Sequence, residues 1–184
     1  MKNITTRKIF LGSNTPDGFI GFMDSMVDNY PLEKIYILKG GSGVGKSTFI
    51  KRFADKVIAV NPEEKLTIEY IMCSADPTSF DGVIIHELGI AIIDGTNPHI
   101  TDPKYPGVVE EIIDLAKFLD TSKLSVSKEH LRTLMNERKE CFARAYHELN
   151  KARDLHMQVE KLMSGAMDFQ KVDALLNEIA KTLL

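Results

Sequence analysis

The sequence predicts an α/β fold with a mainly parallel sheet, helices on both faces, and a C-terminal α-helical hairpin. Three observations carry that prediction. The glycine-rich run Gly40-Gly41-Ser42-Gly43-Val44-Gly45-Lys46-Ser47-Thr48 lies between a strand pattern and an amphipathic helix pattern. Strand-like and helix-like segments alternate through the first part of the chain. All seven prolines lie at or before Pro106, and after Gly107 the only glycine is Gly165, so turn-rich sequence gives way to helix-rich sequence. The expected division is a nucleotide-binding P-loop NTPase core over 1–122 and a helical appendage over 123–184.

A short strand is expected from Arg7 to Leu11, then a helix from Ile20 to Asn29. Lys34-Ile35-Tyr36-Ile37-Leu38 mixes β-branched, aromatic and aliphatic residues as a buried strand does. A helix then runs from Lys46 to about Val60. Further strands are expected at Leu66–Met72 and Gly89–Asp94, and a helix over Val109–Leu115. If these strands are parallel, the loops after Leu38, Met72 and Ile93 open on one crevice, since ligands in such sheets sit at the carboxyl ends of strands. Ser127 is placed to cap a long helix whose apolar residues recur as Leu131, Met135, Phe142, Ala145, Leu149, Ala152, Val159 and Met163. Ser164-Gly165 is the expected stop. Phe169, Val172, Leu176, Ile179 and Leu183 form a second stripe, which predicts an antiparallel partner helix. That helix is less than half as long, so part of the long stripe needs another partner: the core, a second chain, or sequence outside this chain.

The glycine run fits G-x-x-x-x-G-K-[ST] from Gly40 through Ser47. Glycines let successive backbone N–H groups turn inward around an anion, and the following helix adds its positive end. Residues 40–48 are therefore the expected cradle for the phosphates of ATP. Lys46 would neutralise the β- and γ-phosphates, and the Ser47 hydroxyl would ligate Mg²⁺. The apolar strand ending in Asp94 matches the second element of such sites, a carboxylate that helps hold Mg²⁺. A strand merely ending in Asp is the plainer alternative.

Asp94-Gly95-Thr96-Asn97-Pro98-His99 is dense in polar and turn residues; Thr96 or His99 could face the γ-phosphate or a second substrate, or the segment could be a simple tight turn. Ser74 through Asp81 follows the Leu66–Met72 strand. Asp76 or Asp81 could orient an attacking water or accept a hydroxyl proton, against helix capping by Ser79 or Asp81. The expected catalytic set is Lys46, Asp94, Asp76 and His99. Arg132, Arg138, Arg144 and Arg153 on the long helix read as a solvated face, with an arginine finger as the sharper alternative. His86, His130, His147 and His156 lack metal-ligand spacing.

The chain has 184 residues and a net charge of −3, which gives no reason to expect a nucleic-acid partner. Cys73 and Cys141, far apart in sequence, suggest free thiols in a reducing cytosol, with Cys73 in the core. No secretory pattern is present, and no stretch approaches the ~20 apolar residues that span a bilayer. The expectation is a soluble, cytoplasmic protein with no membrane partner.

Beyond these readings, the chain resembles an uncharacterised family of bacterial P-loop ATPases. The resemblance rests on Phe19 after Thr15-Pro16-Asp17-Gly18, the loop from Leu38 to Thr48, the run from Cys73 to Val83, and Asp94–His99 leading to Asp102-Pro103-Lys104-Tyr105-Pro106-Gly107. It is clearest up to about Asp120. Members look like tandem proteins with two P-loop halves, which implies that this chain corresponds to the first half, binds ATP and hydrolyses it.

Three functions are consistent with these residues. The first is a Mg²⁺-dependent ATPase that couples hydrolysis to a change of shape or assembly, with the hairpin as the moving or partner-binding element. The second is a phosphotransferase acting on a small acceptor, with Asp76, Asp81 or His99 lining the acceptor pocket. The third is a nucleotide-sensing scaffold in which the hairpin mediates homodimerisation or union with a second P-loop half. Neither an [NT]-K-x-D base-reading segment nor an L-S-G-G-Q signature occurs.

Overall fold

The computed structural model describes residues 4–124 and 126–182, so the expected stripe residue Leu183 lies outside the described residues. Among the described residues eight strands form: β1 (Ile4–Ile9), β2 (Gly12–Thr15), β3 (Gly18–Gly21), β4 (Lys34–Lys39), β5 (Leu66–Met72), β6 (Phe80–Ile85), β7 (Ile90–Asp94) and β8 (Glu110–Asp114). The α-helices are α1 (Met26–Asn29), α2 (Lys46–Val60), α3 (Lys128–Ser164) and α4 (Phe169–Thr182).

The expected fold class, a P-loop NTPase core on a mainly parallel sheet with helices on both faces, is not what forms. The six-stranded sheet is mixed, in the order β1-β5-β6-β7-β4-β8. β6 runs antiparallel to both of its neighbours, β5 and β7. The physical reason is the length of the connections. Residues 73–79 join β5 to β6, and a 3-10 turn at His86–Leu88 with left-handed Gly89 (φ 60) joins β6 to β7. Such short links make antiparallel neighbours, because a parallel return needs a crossover of a dozen or more residues. Nor does a long helix cover each face. Ile50 and Ala54 of α2 pack with Leu38, Leu66, Ile68, Val83, Ile85 and Ile92 on one face. The opposite face is closed by Met23 of a 3-10 turn and Met26 of four-residue α1, against Ile35, Ile37, Ile71, Ile84, Ala91 and Ile93. Each fully buried Ile or Leu in these layers contributes about 1.5–3 kcal/mol.

Three local expectations also change. The helix over Ile20–Asn29 shrinks to α1. Its first residues enter the β2–β3 hairpin, which turns at Pro16-Asp17-Gly18 with Gly18 at φ 103. Val109–Leu115 is not a helix: β8 pairs with the open edge of β4, after a turn in which Gly107 takes φ 77. β6 was not expected at all, and neither Ser79 nor Asp81 caps a helix, since Phe80 opens that strand.

The long helix forms as its cap predicts, with Ser127 Oγ accepting from His130 N at 3.1 Å. α4 follows Gly165, yet no residue of α3 or α4 is buried. Leu162 is 76% exposed and Leu176 62% exposed, so the two apolar stripes are not covered by one another. Among the described residues, no helix is long and apolar enough to cross a membrane.

Candidate functional site

Sheet register gathers the candidate residues at one edge. Leu38, before the glycine loop, pairs with Asp94. Met72 pairs with Phe80, which puts Cys73 and Asp81 near the same edge, and β7 leads into the turn carrying His99.

The loop between β4 and α2 holds Gly40, Gly43 and Gly45 at φ 143, 87 and 90, a region that L side chains rarely enter. A Cβ at Gly41, Gly43 or Gly45 would meet nothing within 4 Å, so the space beside the loop is open. Lys46 Nζ donates to the carbonyls of Gly40 (2.7 Å) and Gly41 (3.0 Å) and lies 3.6 Å from Asp94 Oδ2. Both side chains are largely enclosed, at 11% and 13% exposure. The other Asp94 oxygen accepts from Thr96 N (2.9 Å) and Thr96 Oγ1 (2.5 Å), which fixes the carboxylate's orientation. Ser47 Oγ accepts from Phe80 N at 2.9 Å and keeps its own proton and a further lone pair.

The turn after β7 passes through a cis Asn97–Pro98 bond and is fastened from below. Lys39 Nζ donates to the carbonyls of Gly95 and Thr101, each at 2.8 Å, and stands 3.6 Å from Asp102. His99 Nε2 lies 2.8 Å from Asp81 Oδ2, with both side chains over nine-tenths buried. The β2–β3 hairpin sets the Phe19 ring edge-on to the His99 ring, centroids 4.6 Å apart. Cys73 joins this pair: its sulfur, an Asp81 oxygen and a His99 nitrogen all lie within 4.8 Å of one another. Cys73 is half-buried rather than core. Burial pushes its thiol up, the amides of Ala75 and Asp76 pull it down, and neighbouring Asp81 pushes it up again.

The structure thus brings Lys46 to Asp94 and His99 to Asp81, while Asp76 stands apart from both pairs. Its carboxylate accepts from Thr78 N (3.0 Å) and Thr78 Oγ1 (2.6 Å), an exposed local turn whose hydroxyl bond holds it below the usual carboxylate range. Of the four arginines, Arg138 reaches the loop, with Nη1 donating to Ser42 Oγ at 2.8 Å. Arg153 instead pairs with Asp17 at 2.9 Å. Sequence reasoning missed Lys39, Phe80 and the pairing of Cys73 with Asp81. The unexpected strand β6 brings Phe80 to Ser47 and Asp81 to Cys73, and its apolar run Val83-Ile84-Ile85 was the available signal.

Compared with known proteins, the chain matches no family model, no curated protein and no solved structure.

Proposed function

We propose that the chain binds Mg-ATP at residues 40–48 and hydrolyses it, using the released energy to change the seating of α3. The observation that carries this reading is Lys46: its ammonium sits at the mouth of a left-handed glycine loop, between the Gly40 and Gly41 carbonyls and the Asp94 carboxylate. A cation so placed can exchange two neutral acceptors for phosphate oxygens, a stronger charge-assisted bond. The open space beside Gly41, Gly43 and Gly45 fits a phosphate chain, and Ser47 with Asp94 would hold the magnesium. Magnesium, when bound, supplies charge neutralisation on the phosphates. Lys46 adds a second positive charge, and Asp94, held by Thr96, keeps Lys46 extended toward the loop.

The coupling to α3 is supported by how lightly that helix is held. Arg138 to Ser42, Tyr146 to Asn14 (2.9 Å) and Arg153 to Asp17 (2.9 Å) tie it to the core, and all three are polar. Phosphate at the loop would compete with Ser42 for the Arg138 guanidinium. The exposed apolar residues of α3 and α4, including Leu155, Leu162, Leu175 and Leu176, support a second copy or a second P-loop half as partner. The reading places the protein in the cytoplasm, where ATP and reduced thiols coexist.

The test is ATP turnover and binding by Lys46→Ala beside the unaltered chain. Turnover should vanish and nucleotide affinity should drop at least tenfold. Undiminished turnover would falsify the assignment.

A further inference from the structure

We propose that Cys73, Asp81 and His99 form a binding site for one borderline divalent transition-metal ion such as Zn²⁺, separate from the magnesium position at Ser47 and Asp94. Thiolate, imidazole and carboxylate are the donor types zinc takes, at about 2.0–2.3 Å each. A mixed sulfur–nitrogen–oxygen set is a poor host for magnesium, which wants oxygen donors and keeps its water. The donors already lie within 4.8 Å of one another, and one pair is at 2.8 Å. Tetrahedral bonds of zinc length put donors about 3.5 Å apart, so the His99–Asp81 pair would part slightly and the cluster as a whole would tighten around the ion.

A further observation points to a ligand. His99 Nδ1 is buried without a hydrogen-bond partner, in a ring that is 93% enclosed and whose other nitrogen faces Asp81. No hydrogen bond at Nδ1 fixes the tautomer, so the ring can carry its proton there and offer the Nε2 lone pair to a cation beside Asp81.

The three ligands come from separate places that the sheet holds in register. Cys73 sits where the β5–β6 connection closes, its N–H donating to Ser79 O at 3.1 Å. Asp81 belongs to β6, and His99 is held by its own N–H to Thr96 O at 2.7 Å and by the Phe19 ring. Three protein ligands leave a fourth position for water or another donor. The site touches the glycine-loop helix through one residue: Phe80, next to Asp81, donates to Ser47.

Cobalt(II) is the probe, since it takes zinc sites and reports a thiolate ligand by a sulfur-to-metal charge-transfer absorption. The full chain, freed of metal with a chelator, is titrated with Co²⁺ in the presence of excess Mg²⁺. The expected result is a charge-transfer band saturating at one equivalent and bleached by zinc. Cys141→Ser should keep the band and Cys73→Ser should lose it. Asp81→Asn and His99→Gln should each weaken cobalt binding at least tenfold. Absence of the band in the unaltered chain, or its survival in Cys73→Ser, overturns the proposal. Should Cys73→Ser fail to fold by circular dichroism, the other two variants decide, and unchanged cobalt affinity in either one overturns it. None of these readouts depends on nucleotide turnover.

Discussion

Arg138, in the N-terminal third of α3, donates to Ser42 in the glycine loop at 2.8 Å, across 96 positions of sequence. The bond is exposed and single, so it adds little to global stability, on the order of 1 kcal/mol or less. Its importance is positional: it puts the long helix in direct contact with the residues proposed to enclose phosphate.

Replacing Arg138 with Ala should therefore leave the melting temperature within a few degrees of the parent. Amide hydrogen exchange in α3 should accelerate, because one of the polar ties to the core seen among the described residues is lost. ATP turnover should fall about tenfold or more if the guanidinium also meets the nucleotide, as the loss of an arginine at a phosphoryl site costs far more than a surface ion pair. Equal exchange rates in the two proteins would argue that α3 is seated by something other than these contacts.

Asp94→Asn is expected to separate binding from turnover. The amide oxygen can still accept from Thr96, so the turn survives, but the negative charge beside Lys46 disappears. Calorimetry should find nucleotide affinity within a few-fold of the parent. Single-turnover kinetics should show a rate loss of about a hundredfold, the scale of one misplaced charge in a phosphoryl site. Equal losses of both would assign Asp94 to binding alone.

Gly82→Ala and Gly95→Ala probe the packing beneath the site. A Cβ at Gly82 would come within 2.8 Å of Ile71 Cδ1 and 2.9 Å of Ile92 O, and one at Gly95 within 2.3 Å of Ile37 Cγ2. Each should destabilise by about 1–3 kcal/mol, read as a shifted urea midpoint with little change in slope. Gly41→Ala, with open space around the added methyl, should cost far less.

Glu87 ties the start of β5, accepting from Thr67 N at 2.6 Å and Thr67 Oγ1 at 2.8 Å. Burial opposes its charge, yet the two Thr67 bonds prevail and hold the carboxyl below its ordinary 4.5. A depressed folded value means that the contribution is complete above pH 4.5 and fades as pH falls through the lower folded value. The Glu87→Gln variant should lose stability near neutrality and converge on the parent in acid. Because the group is largely exposed, the gap should be small and should narrow with added salt.

The helix–loop–strand core around Lys46 was legible because a glycine run with fixed spacing leaves few alternatives, and α2, β4, β5 and β7 follow the expected segments closely. Asp94 followed from the same logic, as the charged end of an apolar strand. What escaped was long-range pairing. Phe80–Ile85 carries Asp and Gly near its start, which masks a strand when read locally, yet it occupies the middle of the sheet. Val109–Leu115 fits a helical or an extended period equally well, and the free edge of β4 decided the matter. Asp76 looked equivalent to Asp81 in sequence; their fates differ because only Asp81 lies on a strand that faces the His99 turn.

Lys39 acts as a rivet between two segments that sequence keeps more than fifty positions apart. Its ammonium grips the backbone at Gly95 and Thr101 while its own main chain leads directly into the glycine loop. The base of the glycine loop and the histidine-bearing turn are thereby joined by one side chain, so a displacement of either strains the two Lys39 bonds. Under the proposed function, movement is then left to α3, whose bonds to the loop and the hairpin through Arg138 and Arg153 are exposed.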